Sequence, residues 1–553
     1  MIEAWSVADV RAAEEPLLAA GVPLMVRAAF ALATITARDL AHRRSVVAPD
    51  GGRRDGRVTG ARVVALVGAG NNGGDTLFAG AYLARRGVHV EAICTSARAH
   101  RDGLAALRRA GGTVTELVGA PDEHVDQPAS QVPLSLPESV ERVLAADAVL
   151  DGLVGIGAAG PLRGRARDLV VAVLGALPDH PRRPWVVAVD TPSGIGVDDG
   201  AVDGPVLPAD RTVTFGAAKP GLLLPPATYL AGRGAVVDLG LDLGSGLDRA
   251  AAPAAAVVRL EAGDVAHLWV VPGTSDHKYT RGVVGVVAGT STFPGAAVLA
   301  TTAAIRTGAG MVRYLGPDDV ARHVLAARPE AVPGPGRVQA WVLGPGVPAS
   351  GDPGAAGADG EDPGVPDDGG QHDRFRAALS GTDGGRVPAV VDAGALSLLP
   401  ERCGPWVVLT PHAGELATLL RTRGEQVDRR GVEAEPLRWA RRAHELTGAT
   451  VLLKGSATVV VGPGAVLAQA DAPGWSATAG SGDILAGILG TLLAAHHDGV
   501  LTEPDLPARL AAAAALVHGR AAERATPGGP VAALDVAHAV PAVVADLLAG
   551  AGR

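Results

Sequence analysis

The sequence predicts an α/β protein built as two three-layer α/β/α domains. Three observations carry this. Short Val/Ala/Leu runs alternate with longer helix-compatible segments along most of the chain, the pattern of parallel strands joined by crossover helices. Many of those runs end on an aspartate, lysine or glycine-rich turn, at the sheet edge where such folds bind ligands. The pattern is interrupted by Asp242 to Ala256, a Leu-Gly-Ser-Gly stretch followed by an Ala/Pro run, which reads as a linker. The expected domains are therefore residues 1–243 and 257–553, joined by 244–256.

Composition bounds the rest. A chain of 553 residues, 47% hydrophobic, 19% charged and 3% aromatic, is globular with an alanine- and valine-built core. A net charge of -9 leaves no electrostatic footprint for nucleic acid. The start, Met1 to Trp5, lacks a basic region followed by an apolar one, and no membrane-length apolar run is evident. Cys94 and Cys403 lie far apart and form no metal pattern, so a reduced cytoplasm is the expected compartment.

Taken in order, Met1 to about Leu40 reads as helical, with breaks at Pro16 and at Gly21 to Pro23. Val46 to Arg57 is a polar loop. Strand 62–67, helix 77–86 and strand 88–95 form a βαβ series, followed by a helical segment at 104–110. Pro121 to Pro137 reads as a mobile Pro/Asp/Gln/Ser loop. Strand 148–150 ends at Asp151, strand 185–189 at Asp190, and Val213 to Phe215 leads towards Lys219. In the second half, strand 283–288 leads into helix 295–306, and 340–343 into Gly344-Pro345-Gly346. Residues 349–373 are Gly/Pro/Asp-rich and nearly devoid of large apolar residues, so disorder is expected. Strands then lead into Asp392, into Pro411-His412 and into Lys454, and Gly480 to Asp483 opens a last apolar helix, 484–493.

The first chemistry-bearing stretch is Gly68-Ala69-Gly70-Asn71-Asn72-Gly73-Gly74-Asp75. It satisfies the Gly-x-Gly-x-x-Gly dinucleotide pattern between a strand and a helix, where backbone amides can hold a pyrophosphate. The acidic residue usual about twenty positions on could be Glu91, although Glu91 falls inside a strand. Asn71 and Asn72 are the only asparagines in the chain, so carboxamides are expected to touch something here. Asn72, Asp151 and Ser193 together offer an amide oxygen, a carboxylate and a hydroxyl, a set suited to a hard cation. Asp190 is a candidate general base. The plainer alternative for each Asp and Ser is a helix or turn cap.

In the second half, Gly480-Ser481-Gly482 lets N–H groups converge on an anion, and Asp483 can take a proton from a hydroxyl attacking phosphorus. Lys454-Gly455-Ser456-Ala457-Thr458 is a strand-end loop fit for nucleotide phosphates, and no P-loop is present. His412 and Glu415 add an imidazole and a carboxylate; a turn histidine with a satisfied hydrogen bond is the plainer reading. Of 49 basic residues only Lys219, Lys278 and Lys454 are lysine, and each falls within one of these motifs or those below.

With these residues in place the chain resembles the bifunctional NAD(P)H-hydrate repair enzymes, in which a Rossmann-like epimerase domain is fused to a ribokinase-like, nucleotide-dependent dehydratase domain. The resemblance covers nearly the whole chain. It rests on Gly21 to Met25, Asn71 to Asp75, Asp151 to Gly157 and Val189 to Gly194 in the first half. In the second it rests on His277-Lys278, Gly295 to Ala297, Leu343 to Gly346, Asp392-Ala393, Pro411 to Glu415, Lys454-Gly455 and Gly480 to Asp483.

The resemblance implies that Asn71, Asn72, Gly73, Gly74 and Asp75, with Gly155, Ile156, Gly157, Ala158, Ala159, Gly160 and Pro161, hold the hydrated dinucleotide. Asn72, Asp151 and Ser193 would bind potassium. Asp190 would contact substrate and work as acid or base, helped by Lys219. The dehydratase would phosphorylate the extra hydroxyl and eliminate phosphate, with magnesium and with ADP as donor, as in bacterial members. Asp483 would be its base. Ala296, Gly346 and His412 would line the dinucleotide site, and Lys454, Gly455, Ser456, Ala457, Thr458, Gly480, Ser481 and Gly482 the nucleotide site. The implied partners are the hydrates of NADH and NADPH and ADP, with no membrane or nucleic acid, and a homo-oligomeric assembly.

The sequence departs from the family at three points. Thr76 stands where Gly is common, and would narrow the pyrophosphate approach or add a hydroxyl. Val347 follows Gly346 where another Gly is usual, and Ser481 replaces Thr. The alternatives are a small-molecule hydroxyl kinase carrying a non-catalytic dinucleotide-binding module, a silent dimerisation unit in the first half, and a plain NAD dehydrogenase.

Overall fold

The computed structural model describes residues 1–47, 53–117, 132–157, 160–178, 180, 182–244, 254–349, 370–380, 386–464 and 466–552. They divide into two compact units, Glu3–Ala256 and Val257–Arg553, with Met1–Ile2 grouped with the latter. Linker residues 245–253 lie outside the described residues.

The first unit holds an eight-stranded sheet. Its order is Arg233–Val237, Arg211–Phe215, Trp185–Val189, Ala148–Gly152, Arg62–Val67, His89–Cys94, Thr113–Leu117, Val132–Leu134, and every pairing is parallel. Arg62–Val67 is buried at every position after Arg62, which is why it reads as a continuous apolar run rather than an alternating one. From this central strand the chain works outward to Val132–Leu134. It then returns to Ala148–Gly152 on the other flank and works outward the opposite way. The crevice between Arg62–Val67 and Ala148–Gly152 is thus the point where strand order reverses, with Leu66 opposite Asp151.

The helix after the central strand spans Asn71–Ala84, six residues earlier than hydrophobicity suggests. Gly73 and Gly74 are weak helix formers, but here packing decides. A Cβ on Gly73 would lie 2.4 Å from the Gly68 carbonyl oxygen, and one on Gly68 would lie 1.8 Å from that of Leu153. Other expectations are corrected too. Pro16 sits inside helix Val7–Ala19 rather than ending it, whereas the break expected at Gly21 to Pro23 is present before Leu24–Arg43. Part of the expected loop at 121–137 lies outside the described residues. Its end is ordered: Val132–Leu134 is a strand, and Ser135 and Glu138 form a capping box for helix Leu136–Leu144, with Pro137 in its first turn. Glu91 lies mid-strand opposite Val64 and bonds Arg142, so it is no ribose ligand.

Ten strands of the second unit's sheet run in the order Val257–Arg259, Val466–Gln469, Thr458–Val461, Thr450–Leu453, Val407–Leu409, Ala389–Val391, Ala340–Leu343, Val283–Val287, Met311–Tyr314, Val332–Pro333. Thr458–Val461 is antiparallel to both its neighbours, so Thr458 begins a strand and is not part of a loop. Helices Pro294–Thr307, Ser481–Ala495, Leu506–Ala525 and Ala533–Gly550 build the core. Their alanines and glycines permit close approach: a Cβ on Gly487 would stand 2.4 Å from the Ala300 carbonyl oxygen. Ala533–Gly550 is long and apolar enough on composition alone to cross a membrane, contrary to the sequence expectation, yet Val536, Ala537, Val540, Val543 and Leu547 are buried in this core. Most of the segment expected to be disordered, 350–369, lies outside the described residues. Its last residues are helical, in Gln371–Ser380, because Gln371 is fully buried and its Nε2 donates to the carbonyls of Ala288 and Gly289.

Candidate functional sites

In the first unit the crevice collects the polar groups singled out by sequence. Asp151 is wholly buried next to the end of its strand. Its Oδ1 accepts the Ser193 hydroxyl at 2.6 Å and its Oδ2 the Ser193 backbone N–H at 2.9 Å. Burial pushes the Asp151 carboxyl up, and those Ser193 hydrogen bonds oppose the shift. Ser193 Oγ also accepts the Val154 N–H at 2.9 Å, which ties this pair to the loop that follows Asp151. Next in that loop, a Cβ on Gly155 would stand 3.0 Å from Asn72 Cγ, so the glycine makes room for the amide. Asn72 is buried, and neither its Oδ1 nor its Nδ2 has a partner. One helical turn on, Asp75 is also buried with Oδ1 unpartnered. Buried polar atoms are nearly always satisfied, so two orphans on one helix face point to a ligand.

Asp190 and Lys219 form the adjoining pair. Asp190 adopts φ 65°, a conformation that costs a non-glycine residue about 1–3 kcal/mol. It is held there by Oδ1, which accepts Lys219 Nζ at 2.5 Å, Thr214 Oγ1 at 3.0 Å and the Phe215 N–H at 3.3 Å. Lys219 is 1% exposed and also donates to the Phe215 carbonyl at 2.8 Å. Helix Val7–Ala19 closes this side: Arg11 Nη2 donates to the Ile156 carbonyl at 3.0 Å, which anchors the Gly155–Gly157 loop. Ala158 and Ala159 lie outside the described residues, and Gly160 has φ 81° before Pro161. Thr76 does not enter the crevice. It is fully buried, and its hydroxyl donates back to the Asn72 carbonyl at 2.7 Å. Its side chain fills the space over Gly152. Asn71 is exposed at the helix start.

In the second unit, three adjacent strands deliver Asp392, His412 and Lys454 to one edge. Lys454 Nζ lies 2.8 Å from Asp392 Oδ1 and 3.7 Å from Glu415 Oε2. Burial pulls the Lys454 ammonium down, but the Asp392 and Glu415 carboxylates outweigh it and the net shift is upward. Ser481, Gly482 and Asp483 form the first turn of helix Ser481–Ala495, after Gly480 at φ 83°. A Cβ on Gly482 would stand 3.3 Å from Lys454 Nζ, so the glycine loop and the lysine face each other. Burial, then the Asp392 charge, pushes the Asp483 carboxyl up to about 7, with Lys454 opposing and Glu415 adding. His412 is the cap of helix Ala413–Thr422, and its Nδ1 accepts the N–H groups of Gly414 and Glu415. Nδ1 is thus satisfied, though by a helix cap rather than a turn, while Nε2 lies 3.7 Å from Glu415 Oε1. Gly346, at φ 67°, and Ala296 are brought together: a Cβ on Gly346 would lie 2.4 Å from that of Ala296. Gly455 and Ser456 are exposed beyond Lys454, whereas Ala457 is buried.

Lys278 is not part of either cluster. It lies in an exposed stretch with Nζ 5.3 Å from the Tyr279 ring centroid. Two residues escaped sequence reasoning. Thr214 bonds both Asp190 and Lys219. His518, on Leu506–Ala525, places Nε2 3.0 Å from Ser481 Oγ, and burial pulls its imidazole down to about 4. A histidine within the apolar run Ala511 to Val517 and Gly519 was the available signal for it.

A family model described as NAD(P)H-hydrate dehydratase matches residues 284–538, and one described as YjeF-related protein N-terminus matches 22–221. A Mycobacterium tuberculosis protein named bifunctional NAD(P)H-hydrate repair enzyme Nnr is 41% identical over 508 residues, 89% of each chain. A Clavibacter michiganensis NAD(P)H-hydrate epimerase is 43% identical over 244 residues, 44% of this chain and 92% of its own. Among solved structures, the ADP/ATP-dependent NAD(P)H-hydrate dehydratase of Bacillus subtilis covers 52% of this chain and 98% of its own, with 24% identity and a TM-score of 0.43. The chain, similar to the mycobacterial protein across nine-tenths of its length and carrying both strand-end sites, belongs to the bifunctional NAD(P)H-hydrate repair enzymes.

Proposed function

We propose that the crevice of the first unit interconverts the two stereoisomers of hydrated NADH and NADPH, and that the second unit uses ADP to return one of them to the reduced cofactor. The observation that carries the second half is Asp483, a half-buried carboxyl pushed up to about 7 directly after the Gly480–Gly482 anion loop. A base that titrates near the working pH suits deprotonation of a hydroxyl attacking phosphorus. In this reading Asp483 takes the proton of the substrate's added hydroxyl, and the Gly480–Gly482 amides and Lys454 steady the transferring phosphoryl. Phosphate then leaves and AMP remains. Ala296, Gly346 and His412 line the dinucleotide, and Lys454 to Thr458 the nucleotide. Magnesium would enter with the nucleotide, held largely through its phosphates.

In the crevice, Asn72, Asp151 and Ser193 fit a monovalent hard cation. The orphan Asn72 Oδ1 needs a partner, and the buried Asp151 carboxylate would gain from positive charge. Potassium there would fix the crevice electrostatically for the substrate's pyrophosphate, beside the helix start at Asn71.

The test uses the separated hydrate stereoisomers, with ADP or ATP, and with potassium or a large organic cation. Return of reduced-nicotinamide absorbance from one isomer directly, and from the other after a lag, is expected, faster with ADP. Asn72→Ala should remove the potassium dependence and the slow isomer's repair while direct repair continues. Phosphate transfer without return of absorbance would sink the reading in favour of a hydroxyl kinase.

A further inference from the structure

The crevice holds one more asymmetry. Asp190, Asp75 and Glu14 all lie within electrostatic reach of one ammonium, Lys219, in a largely buried space. Lys219 is committed by geometry to Asp190, at 2.5 Å. Asp75 has no such partner: Oδ1 is buried and unpaired, on the same helix face as the orphan Asn72. Glu14 is half-buried on helix Val7–Ala19, three residues after Arg11, whose guanidinium anchors the Ile156 carbonyl of the crevice loop. The i, i+3 spacing turns both side chains to that side. Arg11 adds a second positive charge near Glu14, yet the three carboxylates in this largely buried space outnumber the cations facing them, so desolvation favours keeping a proton in the set.

Resting on the epimerase reading above, we propose that Asp75 is the proton donor of epimerisation, that Asp190 is its basic counterpart, and that Glu14 keeps the proton on Asp75. The chemistry balances. In a hydrated dihydronicotinamide the added hydroxyl sits on the carbon next to the ring nitrogen, because protonation of the enamine's far carbon leaves that carbon electrophilic. Asp75 gives its proton to the hydroxyl. The C–O bond breaks with its electron pair going to oxygen, water leaves, and the nitrogen lone pair forms C=N⁺. Water then adds to the opposite face, a new C–O bond forms, and the C=N⁺ pair returns to nitrogen. Asp190 Oδ2, the oxygen not used by Lys219, Thr214 or Phe215, takes the surplus proton, and exchange with water restores both carboxyls before the next turnover. Nothing is oxidised or reduced.

Burial pushes the Asp75 carboxyl well above the usual range, Asp190 and Glu14 add to this, and Lys219 opposes it. Burial likewise pushes Glu14 up, with Lys219 opposing, Asp190 adding and Arg11 opposing. Asp190, ion-paired with Lys219 at 2.5 Å, is placed as the base, and Asp75, whose buried Oδ1 has no partner, as the acid. Asp190, Glu14 and Lys219 are the charged groups facing Asp75. His100 also lies close by, its Cδ2 3.1 Å from where a Cβ on Gly74 would stand, but its Nδ1 is occupied by the Gly103 N–H.

The experiment follows the full-length chain by epimerisation of the separated isomers without nucleotide, and separately by nucleotide-dependent dehydration. Asp75→Asn, nearly isosteric, should lower the epimerisation kcat at least 100-fold, with KM within about threefold, and leave dehydration of the direct isomer unchanged. In wild type, kcat should fall as pH rises past the raised Asp75 titration. Glu14→Gln should move that descending limb to lower pH, a change a merely structural role would not produce. Epimerisation within fivefold of wild type in Asp75→Asn, or an unmoved limb in Glu14→Gln, would overturn the proposal. A wild-type chain that dehydrates but does not epimerise would instead overturn the underlying epimerase reading.

Discussion

Two residues take a left-handed conformation without being glycine among those described: Asp190 at φ 65° and Ala393 at φ 45°, directly after Asp392. Just past the end of a parallel strand, Asp190 carries, and Ala393 directly follows, a carboxylate paired with one of the chain's three lysines. Strain of about 1–3 kcal/mol per residue persists only where neighbouring bonds over-determine it, and it clusters at working sites. The lysine scarcity was therefore a readable signal for Lys219 and Lys454, but it misled for Lys278, which rests against Tyr279 in the open. Thr76 was misread for another reason. Its sequence position suggested a residue lining the crevice, whereas its hydroxyl turns back onto the helix. Asp483 gives a prediction at this scale. A base must be ionised to act, and burial with the Asp392 charge has moved its titration up to about 7. Single-turnover dehydration should then rise about tenfold per pH unit below that value and level off above it. Asp392→Asn removes a negative neighbour, so the rise should shift to lower pH. A rate that stays flat across this range would rule out Asp483 as the titrating base.

Elements explain why the glycine pattern was legible while its meaning was not. The formal fingerprint treats Gly68, Gly70 and Gly73 alike. In the structure Gly68 and Gly73 are packing glycines, and Gly70 caps the helix with φ −96° and nothing within 4 Å of an added Cβ. Spacing cannot distinguish these roles, because they depend on Leu153, far along the chain. Likewise, the helix start at Asn71 rather than Leu77 was hidden by two glycines of low propensity that tertiary contact overrides. Gly68→Ala should destabilise the first unit by about 2–3 kcal/mol, since a backbone carbonyl 1.8 Å from the new Cβ cannot rotate aside. Gly70→Ala should cost about 1 kcal/mol or less, the range of an N-cap change. Chemical denaturation of the two variants, followed by loss of epimerisation, checks the difference. Equal costs would mean that the approach of Gly68 to Leu153 is not what fixes this turn.

At the scale of the whole chain, the two-unit division was visible as a break in a strand–helix rhythm, because each parallel sheet buries its own apolar runs. The antiparallel excursion through Thr458–Val461 was not visible, since two short Val-rich strands read the same in either direction. What the division implies for function can be tested. Asn72, Asp75, Asp151, Asp190, Ser193, Lys219 and Glu14 all belong to Glu3–Ala256. Asp392, His412, Glu415, Lys454, Ser481, Asp483 and His518 all belong to Val257–Arg553. Each set of proposed site residues thus falls within one unit, and each unit has its own core. Two chains crippled at different sites should therefore complement each other through free substrate. Asp190→Ala alone should repair one hydrate isomer and leave the other to its uncatalysed rate, while Asp483→Asn alone should interconvert isomers and repair neither. An equimolar mixture should repair both at about half the wild-type rate or better, because the isomer leaving one chain is the substrate of the other. If the mixture does no better on the slow isomer than Asp190→Ala by itself, then repair requires both sites in one chain, and the independence argued from the two cores fails.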